Sequence, residues 1–592
     1  MPLTLTASSS SQHSSARKAS SENVTTVDSS NSGDFPQQLL YVDLEKAQPK
    51  NYFRRACNSF KHSEEKQPSL KHELNNFQMQ MIAIGGSIGT GLFLGTGEAL
   101  RVGGPAALII GWTLIGTMIY CTVHSLCELA VTFPVPGGFS YYSSVFIDGS
   151  WGFAMALNYA MQWLILLPLE LSAATMTFKY WNDFPIPDWA LITGFFLTII
   201  AINLMSVKIF GYAEVIFSLT KIVAVIAFII LGLVLVFGGL PAREAILDKN
   251  WKDPGPFANG FKGVISVFVT AAFSFAGTEM CGLAAAESKD PRKHVPKATK
   301  QVFWRICGFY FISLALIGLL VPSNYSNHTK RSETDTRMSP FTVALEATGV
   351  KGIASVMNVV ILISILSVGN SAIYASSRTL LALHNLGHIK TFSFFNMGYI
   401  DRKGRPLVAI AFTLVFGMMA YGTLISETGA LTLFTWLMAL SGLSSLFTWG
   451  SICLAHIRFR AGLVAQGRSP SELGYISPVG VVGSYYGLAM NAMVLIAQVW
   501  IAASPVGHNA SIELSLKAIL GLPIVLLSYL IHKIYKAFVT KTDKSFYISS
   551  KDMDLDRGRQ ETDIAAAGIC YEEERREMRQ RPPLTRLYNF WC

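Results

Sequence analysis

The sequence predicts an all-α integral membrane protein with twelve transmembrane helices and both tails on the same side of the bilayer. Three observations predict it. Only 15% of the 592 residues are charged and 51% are hydrophobic, whereas soluble chains carry about 25% charged residues. Residues 1–75 and 537–592 are polar, and almost everything between them is a succession of apolar runs. Those runs recur at the length of about 20 residues that crosses a bilayer.

The twelve runs fall at 79–99, 105–126, 152–178, 188–206, 214–238, 262–283, 302–321, 352–376, 407–426, 430–456, 484–503 and 514–536. They divide the chain into a tail at 1–75, a membrane domain at 76–536 and a second tail at 537–592. The first tail, beginning "MPLTLTASSSSQHSSARKASSENVTT", is rich in Ser, Thr and Asn and reads as disordered. It has no apolar core of the length that a cleavable signal needs, so the first span is expected to serve as the targeting signal.

An even number of spans puts both tails on one side, and charge indicates which. Lys289, Arg292, Lys293, Lys297 and Lys300 follow the sixth span. Lys390, Arg402, Lys403 and Arg405 fill the next loop on that side, and Arg458, Arg460 and Arg468 the one after. Short basic loops face the cytoplasm. Arg243, Lys249, Lys330 and Arg331 lie on the other side and dilute the signal. Three glycosylation sequons, at Asn324, Asn327 and Asn509, fall on the side read as external; a fourth, at Asn23, falls in the tail and is expected to be unused. Of the eight cysteines, none lies in an external loop, so structural disulfides are not expected.

Ionisable groups inside spans are costly and are functional candidates by default. Glu170 lies in the third span ("LLPLELSAA"), Lys221 near the start of the fifth ("SLTKIVAVIAF"), Glu279 in the sixth ("FSFAGTEMCGL") and Glu128 at the end of the second. Glu128 reads equally as a helix-end structural or gating carboxylate. Lys221 could snorkel to the surface, and Glu170 could pair with a buried polar neighbour. His124 reads as an interhelical histidine with its hydrogen bonds satisfied. Glu279 follows Gly277 in the middle of an apolar run and has no such simple reading.

The first span carries a second anomaly. "IAIGGSIGTGLFLGTG" holds Gly85, Gly86, Gly89, Gly91, Gly95 and Gly97, each costing about 1 kcal/mol relative to Ala within a helix. The sixth span repeats the weakness at "AAFSFAGTE". Each opens a block of five spans. Interrupted helices at matching positions in two halves indicate a secondary transporter made of inverted repeats, because unwound backbone at membrane depth is tolerated where it lines a cavity. The alternative is close helix packing through small-xxx-small spacing. Gly89 and Gly91 are the candidates for freeing the backbone, and the other four for close packing.

"MIAIGGSIGTGLFLGTG", "FSFAGTEMCGLAAAESKDPRKHVPKA", "LSVGNSAIYASSRTLLAL" and "FTWLMALSGLSSLFTWGSICLAHIRFR" resemble the fungal amino-acid permeases of the amino acid–polyamine–organocation superfamily. The terminal stretch from "DMDLDRGRQ" to "LYNFWC" is most similar to the general amino-acid permease branch. The resemblance implies a LeuT-like fold, a 5+5 inverted repeat plus two C-terminal helices, and proton-driven uptake of amino acids, of broad range, at the fungal plasma membrane. Backbone N–H groups of Ser87, Ile88, Gly89, Thr90 and Gly91 would hold the substrate carboxylate, consistent with the anion affinity of a helix start. Carbonyls of an unwound segment formed by Phe273, Ser274, Phe275, Ala276 and Gly277 would take the α-ammonium, with Phe273 also a gate. Glu279, Lys221 and Glu170 would serve proton coupling, Lys221 standing where sodium-coupled relatives hold the ion; a desolvated lysine is able to exchange its proton. Ser364, Ser367 and Asn370 would lie nearby, or bond helix to helix.

The resemblance also implies ubiquitin-ligase and adaptor partners for the tails, where Lys46, Lys50, Lys61, Lys66 and Lys71 lie, and palmitoylation at Cys592. Membrane lipids are the other expected contacts, and no nucleic-acid partner, metal or cofactor is expected. The sequence holds no metalloprotease, P-loop or nucleophile-elbow motif in its spans, so an enzyme is not expected. The remaining alternative is a nutrient-sensing receptor with little or no transport, for which the short first tail offers no signalling module.

Overall fold

A computed structural model describes residues 76–559, apart from 136, 182–185, 240–244, 289, 325–338, 347, 351, 389–395, 426–428, 507–510 and 541–546, together with Arg576 and Pro582. Asn23, Asn327, Asn509, Cys592 and Lys46, Lys50, Lys61, Lys66 and Lys71 of the first tail lie outside the described residues. Asn324 is described and sits, half-buried, in the turn that follows the seventh expected span.

The described chain is helical throughout its apolar runs. The first expected span is two helices, α1 (Asn76–Ser87) and α2 (Thr96–Gly103), joined through Ile88, Gly89, Thr90 and a single wide turn at Gly91–Gly95. Then follow α3 (Pro105–Thr132), α4 (Gly138–Phe146), α5 (Gly149–Phe178), α6 (Asp188–Asn203) and α7 (Val207–Val236). The sixth expected span is again two pieces, α8 (Gly260–Phe275) and α9 (Met280–Leu283). The remainder comprises α10 (Pro291–Leu320), α11 (Pro340–Glu346), α12 (Ile353–Asn385), α13 (Leu407–Gly417), α14 (Gly429–Ala465), α15 (Gly480–Ala503), α16 (Ile512–Ile519) and α17 (Gly521–Ile534). Ten of these helical stretches are long and apolar enough to cross a membrane. Shorter apolar helices at Asp188–Asn203 and Cys307–Leu320 coincide with the fourth and seventh expected spans.

Local signals set the helix starts where hydropathy alone did not. Asp290 accepts from the Lys293 N–H and Pro291 occupies the first turn. That cap starts α10 inside the basic segment, well before the expected 302. Ser206 caps α7 in the same way, accepting from the Ile209 N–H. The fifth span therefore begins at Val207 rather than 214, and Glu214 lies two turns inside it. Lys208 and Glu214 lower the local hydropathy, and that hid the start.

α7 shows how a membrane helix divides its faces. Glu214, Ser218, Lys221, Val225 and Phe228 are buried at alternating steps of four and three residues. Ile216, Val223 and Ile230 are exposed on the opposite face. An exposed apolar face is what lipid contact requires. α5 is the hub: it packs along α12 and α14, while α1 packs against α7, α10 and α12.

Buried ion pairs tie the helix ends together. Glu128 at the end of α3 receives the Arg460 guanidinium at 2.6 Å, His456 Nε2 at 2.9 Å and the Ser477 N–H at 2.7 Å. His124 Nδ1 is 3.0 Å from the Tyr475 hydroxyl. Glu287 pairs with Arg378 at 2.9 Å. Beyond α17, residues 547–559 return to the body: Met553 and Leu555 are buried in its main core, Gln466 donates to the Met553 carbonyl at 2.8 Å, and Tyr141 donates to the Arg557 carbonyl.

Candidate functional site

The two breaks meet. α1 closes with the Ile88 N–H on the Ile84 carbonyl, 3.0 Å, and bonding resumes from the Phe93 N–H to the Gly89 carbonyl, 3.0 Å. α8 ends at Phe275; Ala276 turns extended and Gly277 takes φ +97°, a conformation that favours glycine. A Cβ at Gly277 would stand 2.7 Å from the carbonyl carbon and oxygen of Gly86. A Cβ at Gly91 would meet Ser274 Cα at 2.5 Å. Backbone therefore lies on backbone at the crossing of the two interrupted spans.

Both breaks are tighter than expected. Ser87 is still helical and its hydroxyl is turned back to the Ala83 carbonyl, 2.6 Å. Phe273, Ser274 and Phe275 are the last helical turn, not an unwound segment, because the chain has no glycine until 277. The unwound stretch is Ala276–Glu279. Among its neighbours, the carbonyls of Phe273, Ser274, Phe275 and Gly277 already accept hydrogen bonds. Among the described residues, Ala276 alone of these five has a carbonyl without such a bond, and it lines the cavity between the breaks.

That cavity is small, about 10 Å³, roughly the space of one water, so an amino acid requires the site to widen. Ser87, Gly89, Thr90 and Gly91 line one side; Phe273 and Glu170 line the others. Glu170 is fully buried two residues after Pro168 in α5. Its Oε1 accepts from Thr90 Oγ1 at 2.7 Å, and its Oε2 is buried without a hydrogen-bond partner among the described residues.

Beneath the second break, Glu279 is also buried. Its carboxylate accepts from the Gly277 N–H at 3.1 Å, Trp449 Nε1 at 3.3 Å and the Tyr159 hydroxyl at 3.4 Å. It is thus tied to the turn it closes and to α5 and α14. Beside the first break, Lys221 does not snorkel: it is fully buried and donates from Nζ to the Gly85 carbonyl at 2.6 Å. Glu214, on the same face of α7, accepts from Ser367 at 2.8 Å and Asn370 at 2.5 Å.

Two contributors were missed in the sequence. Tyr310 of α10 places its hydroxyl 2.8 Å from the Ser87 carbonyl and 2.7 Å from the Ser274 carbonyl. Nothing marks it within the aromatic run "GFYF". Glu214 could have been found from its seven-residue spacing to Lys221, which puts both on one helix face. Gly85 also changes role. It packs against the polar cluster of Glu214, Ser218 and Ser367 rather than between flanking half-helices.

With this geometry in place, comparisons with known proteins are specific. The sequence profile described as amino acid permease matches residues 78–544. The chain is 51% identical to the general amino-acid permease GAP1 of Saccharomyces cerevisiae over 89% of this chain and 86% of that one. It is 52% identical to the general amino-acid permease GAP2 of Candida albicans over 88% and 87%. It is 44% identical to the histidine permease of Saccharomyces cerevisiae over 88% and 86%. Among solved structures, a manganese transporter of Eremococcus coleocola aligns with 80% of this chain and 98% of its own at 12% identity and a TM-score of 0.49.

Proposed function

The chain belongs to the amino acid permease family, and we propose that it is a plasma-membrane, proton-coupled symporter carrying a broad range of L-amino acids into the cell. In this reading twelve spans form two five-helix inverted repeats and two further helices, with both tails cytoplasmic. Asn324, Asn327 and Asn509 face outside as glycosylation sites, and Cys592 is a lipidation site. The tail lysines serve ubiquitin-dependent turnover.

One observation carries the reading: two interrupted helices cross backbone to backbone around a cavity that has amide donors on one side and free acceptors on the other. An α-amino acid is a carboxylate and an ammonium held on one carbon. The start of the second half of the first span, at Gly89, Thr90 and Gly91, presents N–H groups to the carboxylate. The Ala276 carbonyl takes the ammonium, and the neighbouring carbonyls of the last turn of α8 add their dipoles. Because these contacts are to groups every amino acid shares, the site itself does not choose a side chain. Phe273 covers it.

Coupling follows from the charges beside the two breaks. Protonation from outside, at Lys221, Glu279 or Glu170, favours the loaded outward form. The amino acid then bridges the two breaks, one helical bundle rocks against the other, and the proton leaves to the cytoplasm with the substrate. Lys221 stands on the Gly85 carbonyl and Glu279 on the Gly277 N–H, so a change in charge at either alters a hydrogen bond at a break. The test is uptake of labelled amino acids by a yeast strain lacking its own permeases. Accumulation supports transport; delivery to the surface with no uptake of any amino acid overturns it.

A further inference from the structure

Glu214 is fully buried, and both of its hydrogen-bond partners are donors. Ser367 Oγ lies 2.8 Å from Oε2, and Asn370 Nδ2 lies 2.5 Å from Oε1. Asn370 is oriented from its other end as well, because its Oδ1 accepts from Asn203 Nδ2 at 2.6 Å. The amide is therefore turned so that its donors face position 214. The Asn370 amide, held in this orientation, can only donate to Glu214, which suits an acceptor-only group, for a carboxyl the ionised form.

Glu214 also presses on the first span. A Cβ on Gly85 would collide with its Oε2, and would stand 3.0 Å from Ser218 Oγ and 3.1 Å from Ser367 Oγ. The carbonyl of the same Gly85 receives Lys221 Nζ at 2.6 Å. One peptide, three residues before the break at Ile88 and Gly89, is thus held between a lysine and a glutamate from one face of α7.

We propose that Glu214 is a positioning residue for Lys221: its carboxylate supplies the counter-charge that keeps the Lys221 ammonium on the Gly85 carbonyl, and so fastens α1 to α7. The proposal rests on the coupling role given above to Lys221. A buried ammonium without a counter-ion is strongly unfavourable, whereas the Glu214 carboxylate also has donors in Ser367 and Asn370. Around the pair, α1 presents the Gly85 carbonyl, with the Met81 carbonyl one turn away on Ser218 of α7, α12 presents Ser367 and Asn370, and α6 presents Asn203. Among the described residues, the other charged group acting on Lys221 is Glu170 of α5. The proton moves without any covalent bond changing except the one N–H bond of Lys221 that breaks. The Lys221 ammonium gives a proton to the cytoplasmic side and becomes an amine; Glu214 stays ionised on Ser367 and Asn370. The Gly85 carbonyl then loses its charged donor, and the first half-helix is released from α7. Protonation from outside fastens it again.

The test compares net accumulation driven by a proton gradient with exchange of labelled for unlabelled amino acid across vesicles holding the full-length protein. Exchange returns the carrier loaded and needs no net proton movement. Glu214→Gln is expected to reduce accumulation about tenfold more than exchange and to flatten the dependence of uptake on external pH, and Glu214→Asp to restore part of both. Equal losses in the two assays, or a pH profile like the wild type's, overturn the proposal. If Glu214→Gln fails to reach the surface, the double variant Glu214→Gln with Lys221→Gln removes both charges. It is expected to restore delivery; continued retention overturns the pairing. A wild-type protein indifferent to pH overturns the symport reading itself and is recognised without any variant.

Discussion

Gly277 lies so close to Gly86 that a methyl group on Gly277 would stand 2.7 Å from the Gly86 carbonyl. Gly277 also holds φ +97°. Gly277→Ala therefore meets both backbone strain and a clash with backbone that has no room to move. The expected loss is at least about 2 kcal/mol of stability. Gly194, where a methyl group meets nothing within 4 Å, is the control. Melting of the two detergent-solubilised variants checks it: Gly277→Ala should melt well below the wild type, and Gly194→Ala near it.

Tyr310 has one hydroxyl proton and two carbonyls within reach, those of Ser87 and Ser274. It joins the ends of both half-helices to α10. Tyr310→Phe keeps the ring and leaves those carbonyls short of a donor, at an expected cost of about 1–3 kcal/mol. Reduced maximal uptake, with surface delivery largely kept, is the expected result. Uptake per surface-labelled protein measures it, and an unchanged value contradicts a role at the crossing.

Glu279 holds the second break through the Gly277 N–H while also accepting from Trp449 and Tyr159. Glu279→Gln preserves size but removes the ionisable group and points an amide donor at existing donors. Uptake should fall by about tenfold or more and lose its dependence on external pH, with the protein still at the surface. A pH profile parallel to the wild type's contradicts coupling through this residue.

His388, just beyond α12, offers a pH test outside the membrane domain's interior. Burial, then the nearby His532 and Lys536, lower its pKa from 6.5 to about 4. The unfolded chain binds a proton near pH 6.5 while the folded one resists until about 4. Stability is therefore full above pH 6.5 and is lost progressively as pH falls toward 4. His388→Gln removes that contribution. The gap in melting temperature between wild type and variant should change between pH 7 and pH 4.5, in the direction that makes the variant less acid-sensitive; a constant gap contradicts it.

The sequence was most legible where physics leaves a composition mark. Apolar length marked the spans, and glycine in an apolar run marked both breaks and so the neighbourhood of the cavity. Buried charge marked Glu170, Lys221 and Glu279, all of which prove to be enclosed. What stayed hidden depends on which faces meet. Glu214 looked like a span boundary because the Ser206 cap extends α7 beyond its apolar run. Tyr310 is one aromatic among several, and only the crossing of α10 over the two breaks gives its hydroxyl a task. The extent of the second break was overread, because Phe273–Phe275 can stay helical until Gly277 permits the turn. The docking of residues 547–559 has no apolar run to signal it beyond Met553 and Leu555.

The most direct test of proton-driven amino-acid symport is labelled uptake at two external pH values, with and without sodium, in competition with each of the twenty amino acids. Faster uptake at the more acidic pH, no need for sodium and competition by many amino acids are predicted. Uptake that ignores pH and requires sodium would contradict it, because the Lys221 ammonium and a sodium ion cannot both occupy the place beside the Gly85 carbonyl.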